Sequence, residues 1–171
     1  EHKPQVGGYD KEEFYKNNRV IINPLRIKNW IIDELESCMI LYYTGVSRES
    51  SLIIDEQIKN LNRKDTISLN SSHALKEGAL LMKEAVLKCD MKLFSKTLGS
   101  SWETKKMLSN SISNEMIENV HRVAIKAGAY SGKVSGAGGG GFMIFMVNPL
   151  MKYDLKNKLE KLDGDVVNFH F

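Results

Sequence analysis

Apolar and polar positions change period several times along these 171 residues, and each change marks an element. Residues 1–18 (EHKPQVGGYDKEEFYKNN) follow neither a period of two nor one of 3.6 and carry Pro4 and the Gly7-Gly8 pair, which predicts a loop. Arg19 to Asn23 is β-branched and stops at Pro24, and Ser37 to Tyr43 is an apolar run closed by Thr44 and Gly45. Two antiparallel neighbouring strands are expected from these runs. From Ser47 the period becomes helical, with Ile54, Ile58 and Leu61 on one face and Asp55, Glu56 and Lys59 turned away. Three more helices are predicted in succession. One runs from Ser71 to Cys89, and one starts at Asp90 with Phe94, Leu98 and Trp102 spaced by four. The next is capped by Ser113 or Asn114, striped by Ile117, Val120, Ala124 and Ile125, and ended by Gly128. Phe142 to Val147 reads as strand, Leu150 to Leu162 as helix, and the alternation Val167, Phe169, Phe171 as a last strand.

Strands at both ends with helices segregated between them predict an α+β fold, an antiparallel sheet covered on one face by helices. Residues 19–171 form its single domain, preceded at 1–18 by a linker or the remnant of another lobe. Composition agrees, with 42% apolar and 26% charged residues, three prolines and two cysteines. The net charge of +3 is dispersed along the chain, too weak a field to argue for nucleic acid or anionic lipid. No apolar run is long enough to cross a bilayer. Cys38 and Cys89 lack CxxC spacing, so two reduced thiols and a cytoplasmic location are expected. The chain begins at Glu1 rather than Met, which suggests a segment upstream. His73 and Glu77 stand one helical turn apart with no third ligand in view, so no metal site is predicted within the chain.

The strongest feature is Gly136-Ala137-Gly138-Gly139-Gly140-Gly141. It formally contains G-x-G-x-x-G, but a dinucleotide fingerprint must open a helix, and here a strand follows. A phosphate loop of the Walker type fails as well, since Phe142 and not Lys follows Gly141. Each glycine costs roughly 0.5–1 kcal/mol relative to alanine in regular structure. Two causes could require the run: backbone amides turned inward to hold an anion, or a tight packing corner or hairpin.

The stretch Ser131-Gly132-Lys133-Val134-Ser135 followed by GAGGGGF resembles the third motif of the GHMP kinases. Tyr43-Thr44-Gly45-Val46-Ser47-Arg48, Trp102-Glu103-Thr104-Lys105-Lys106 with Leu108-Ser109, and Ile112-Ser113-Asn114 resemble the sugar-phosphate branch of that family, which acts on a heptose 7-phosphate. The likeness covers about Phe14 to Phe171 and corresponds to the C-terminal half of such a kinase, a ferredoxin-like domain. It implies ATP-dependent phosphorylation of the sugar's anomeric hydroxyl to the 1,7-bisphosphate, with Mg²⁺. The family's ATP-phosphate loop and its aspartate base have no counterpart among these residues. The resemblance therefore places ATP and Mg²⁺ mainly on an N-terminal lobe, and leaves this chain without catalytic residues and inert alone.

For a substrate that already carries phosphate, the resemblance implies contacts from Thr44, Gly45, Ser47, Arg48, Trp102 and Lys105. Arg48 is favoured because a guanidinium grips phosphate oxygens bidentately. Ser135, Gly136, Ala137, Gly138, Gly139, Gly140 and Gly141 would support the phosphate loop. Plainer roles stay open: Ser47 as a helix cap, Arg48 as a solvated first-turn residue, Trp102 as core. Other members of the family, of mevalonate, fucose or galactose type, and a non-catalytic α+β module that binds small anions are the alternatives.

Overall fold

The computed structural model describes residues 9–46, 50–63 and 65–171. An apolar run with no polar alternation needs cover on both sides, and FMIFMV has it as the second strand of a four-stranded antiparallel sheet. The strands are β3 (Met39–Tyr43), β4 (Ala129–Val134), β5 (Phe142–Val147) and β6 (Asp165–Val167), in the spatial order β4-β5-β3-β6. Register is set by Met39 opposite Met146, Tyr43 opposite Phe142, Val134 opposite Met143, and Leu41 opposite Val167. A bulge at Tyr130 shifts the start of β4 by one residue. A strand, intervening helices, two strands, a helix and a strand give the ferredoxin-like order.

Alternation along β5 sorts its side chains into two cores. Met143, Phe145 and Val147 join Ile40 and Tyr42 of β3 beneath Ile117, Val120 and Ala124 of α5 (Glu115–Lys126) and Leu155 and Leu159 of α6 (Lys152–Leu159). Met39 and Met146 face the opposite way. They meet Leu35 of α1 (Asn29–Ser37), Ala85 and Val86 of α3 (Thr66–Leu87), and Phe94 and Leu98 of α4 (Met91–Lys106). The α+β class and the antiparallel sheet are as expected, but helices cover both faces rather than one. On the α4 face the hydroxyls of Ser95 and Ser131 satisfy each other at 2.7 Å.

Other departures are local. Part of the segment read as loop is strand β1 (Asp10–Phe14), which pairs with β2 (Val20–Pro24) in a separate hairpin. β2 is therefore no neighbour of β3, and α1 lies between them. The carboxylates Asp33, Glu34 and Glu36 sit on that helix. Asp65 caps α3 by accepting the Ser68 amide at 3.0 Å, so the helix starts before Ser71. The last strand is Asp165–Val167, and Phe169 and Phe171 instead stack edge to face, 5.3 Å apart. Among the described residues no helix is long and apolar enough to cross a membrane. Both cysteines are free, and burial pushes their thiols up.

Candidate functional site

β4 and β5 are antiparallel neighbours, so residues 135–141 must reverse the chain at one end of the sheet. Gly136, Gly138, Gly139, Gly140 and Gly141 all hold positive φ, a conformation that side chains resist. Two segments close in on the loop. A β-carbon on Gly138 would stand 2.8 Å from the carbonyl oxygen of Ile112, and one on Gly140 would run into the carbonyl of Val46. The same carbonyls hold the loop: the Gly139 amide donates to Ile112 at 2.8 Å and the Gly141 amide to Val46 at 2.7 Å. In return the Thr44 amide donates to the Gly141 carbonyl at 2.9 Å. The packing-corner explanation of the glycines is therefore correct for these positions. It does not account for the whole loop, because the amides of Gly136, Ala137, Gly138 and Gly140 donate to no partner among the described residues. Those donors, unoccupied by protein among the described residues, have the chemistry to hold an anion.

α5 starts against the same loop. Asn114 caps it by accepting the Ile117 amide at 3.0 Å, while its own side-chain NH₂ donates to the Gly139 carbonyl at 3.2 Å. One side chain thus fixes a helix N-terminus and the loop together. The turn before it is braced by α2 (Ser50–Asn62): Asn60 donates to the Leu108 carbonyl at 2.9 Å, and the Ser111 hydroxyl bonds the Glu56 carboxylate.

Among the expected substrate contacts, Thr44 is buried and its hydroxyl donates to the Val46 carbonyl at 3.0 Å. It is occupied in shaping the turn. Gly45, at φ 74°, permits that turn beside the Asp163 carbonyl. Ser47 and Arg48 lie outside the described residues. Trp102 is 0% exposed and packs with Leu108 and Ile112 in the α5 core. It offers no surface to a ligand, so its expected substrate contact gives way to packing. Its indole Nε1 finds no acceptor among the described residues.

Lys105, in the last turn of α4, reaches the loop: its Nζ donates to the Gly136 carbonyl. Burial, and then the charge of Lys133, bring its ammonium down to about 8. Lys106 turns away, held by Glu103 at 3.1 Å and Glu118 at 3.3 Å, with its charge 5.5 Å from the Trp102 ring centroid. The site thus joins the glycine loop, Lys105, the turn at Thr44 and the start of α5. Val46, Ile112, Asn114 and Lys133 belong to it as well. Sequence reading passed over them as site residues because two act through backbone carbonyls, one as a helix cap, and one from inside a strand. A hollow lined by Cys38, Ser95, Lys96, Tyr130 and Met146 lies at the other end of the sheet and takes no part.

Comparison with known proteins agrees with this fold. Residues 82–162, which include the whole glycine loop, match the family model described as GHMP kinases C terminal. A D-glycero-alpha-D-manno-heptose 7-phosphate kinase of Campylobacter jejuni is 48% identical over 96% of this chain, and the chain covers 48% of that protein. A crystal structure of a candidate sugar kinase from the same species superposes with a TM-score of 0.71 at 45% identity, across 96% of this chain and 45% of that one. A D-glycero-D-manno-heptose 1-phosphate kinase from Bacteroides thetaiotaomicron gives a TM-score of 0.68 at 35% identity, across 96% and 42% respectively. The chain therefore spans about half the length of these relatives. Its glycine loop, its sheet order and its likeness along nearly every residue place the chain among the GHMP kinases, as their C-terminal domain.

Proposed function

We propose that this chain is the substrate-binding lobe of an ATP-dependent kinase that phosphorylates the anomeric hydroxyl of D-glycero-D-manno-heptose 7-phosphate, giving the 1,7-bisphosphate. The observation that carries this reading is the 48% identity, over 96% of the chain, to a kinase named for that sugar phosphate, whose name also carries the alpha anomer. The loop geometry supports it. Phosphoryl transfer depends on positioning and on neutralising charge more than on covalent chemistry. A braced loop with spare amides, beside a lysine, supplies both.

ATP supplies the γ-phosphoryl group, and Mg²⁺ accompanies its phosphates. In this reading both are held mainly by an N-terminal lobe beyond these residues. Residues of this chain would orient the sugar and exclude water. The glycine loop would face the nucleotide phosphates through the amides of Gly136, Ala137 and Gly138. Arg48 would hold the sugar's existing phosphate. The catalytic base would likewise come from the N-terminal lobe, and the chain alone is expected to be inactive. The location is cytoplasmic, where ATP and sugar phosphates are found.

The test is ADP release by the full reading frame with heptose 7-phosphate, heptose 1-phosphate, unphosphorylated heptose, fucose, galactose and mevalonate. Turnover with heptose 7-phosphate is expected. The Bacteroides relative is named for the 1-phosphate, so preference for that compound would move the existing phosphate to the other end of the sugar. Turnover of an unphosphorylated sugar would remove the phosphate role of Arg48. Silence on every sugar would favour a non-catalytic anion-binding module.

A further inference from the structure

Three lysines lie near the junction of α4 and the glycine loop, and only one of them meets a carboxylate among the described residues. Lys106 has Glu103 and Glu118. Lys105 has the Gly136 carbonyl and no acid. Lys133, the fifth residue of β4, lies opposite Ile144, on the sheet face that α4 covers, with no hydrogen bond or ion pair among the described residues. Both side chains are half-buried.

Burying an ammonium without a counter-charge is unfavourable, and two neighbours of like sign make it worse. Both groups respond in that direction. Burial lowers Lys133, and burial together with Lys133 lowers Lys105. An anion lodged between them would relieve both effects. The free amides of Gly136, Ala137 and Gly138 lie at the same end of β4. Lys105 has donors left after its single bond to Gly136, and Lys133 has all of its own.

We propose that Lys105 and Lys133 form one anion site at the entry to the glycine loop, and that its occupant is a phosphoryl group, from either the sugar phosphate or the nucleotide. The choice of ligand rests on the kinase reading; the site itself rests on the two uncompensated cations. Lys105 keeps a second task as the tether of Gly136. Lys133 is thereby added to the residues that bind substrate.

The experiment uses the full-length protein with ¹³C-labelled lysine and inorganic pyrophosphate as probe. The ε-carbon resonances of Lys105 and Lys133, assigned through K105R and K133R, are expected to move together and saturate. Calorimetry is expected to give about tenfold or weaker pyrophosphate binding for Lys133→Gln, and binding within about threefold of the original for Lys133→Arg. Resonances that stay still overturn the proposal, as they would if an acid from another segment already neutralised the pair. Unchanged affinity in Lys133→Gln also overturns it. Should that variant not fold, the titration of the unsubstituted protein still decides.

Kinetics with Lys133→Gln then identify the source of the phosphate. A raised KM for heptose 7-phosphate alone assigns the sugar's phosphate, a raised KM for ATP alone assigns the nucleotide, and no change in either overturns the site. Failure of the kinase reading is distinguishable, because it appears as a lack of turnover in the unsubstituted enzyme while pyrophosphate still moves both lysine resonances.

Discussion

Alanine at Gly138 and alanine at Gly136 separate the two explanations of the glycine run. At Gly136 φ is 78° and a β-carbon meets nothing within 4 Å, so Gly136→Ala incurs only the left-handed backbone cost, about 1–2 kcal/mol. At Gly138 φ is 119°, and the new carbon would lie 2.8 Å from the Ile112 carbonyl oxygen and 2.9 Å from its α-carbon. Ile112 is fully buried and its carbonyl already accepts the Gly139 amide, so it cannot retreat without losing that bond. Strain of about 1–3 kcal/mol is therefore joined by overpacking of about 1–3 kcal/mol. For a chain of this length 1 kcal/mol moves the midpoint by roughly 2–4 °C. G138A should thus lower the melting temperature by roughly 4–24 °C, against roughly 2–8 °C for G136A. Calorimetric melting of the pair, with amide exchange followed at Gly139, measures this. A G138A midpoint no lower than that of G136A, with Gly139 exchange unchanged, would refute the close-approach argument.

Lys105 should titrate near 8, below the ordinary lysine value of 10.5. Between those values the unfolded chain keeps a proton that the folded chain has released, so stability should rise with pH across that window. Lys133 is lowered too and acts with the same sign. Lysine ¹³C titration and urea midpoints check this, and Lys105→Met should flatten the rise; an inflection near 10.5 would rule out the burial argument. Trp102→Ala should cost about 3–5 kcal/mol by emptying a core site. Trp102→Phe should cost much less, since it also removes an unpaired indole N–H, and should leave KM for the sugar unchanged. A large KM change in a stable Trp102→Phe enzyme would restore the substrate-contact role.

Much of the fold was legible in periodicity, because helices α4 and α5 each bury a stripe whose spacing is local. The expectation of helices on one sheet face missed a signal in FMIFMV, where polar residues are absent from either side and cover on both faces is needed. Strand β1 was not legible. DKEEF is polar, and it is a strand only because β2 supplies its hydrogen bonds. Which strands pair is likewise set by contacts remote in sequence, so β2 and β3 could not be separated by pattern alone.

The site divides along the same line. Five glycines in six positions declare an unusual backbone, and the sequence alone determined that something must approach it closely. Only the tertiary structure decided what does so: the carbonyls of Val46 and Ile112, atoms that every residue carries and no motif can specify. It also decided between the two roles open to Trp102, placing it inside the core, and brought in Lys133, which no pattern had singled out for the site, as a charge acting on Lys105. Burial and charge balance depend on neighbours brought together by folding, and a linear pattern does not contain them.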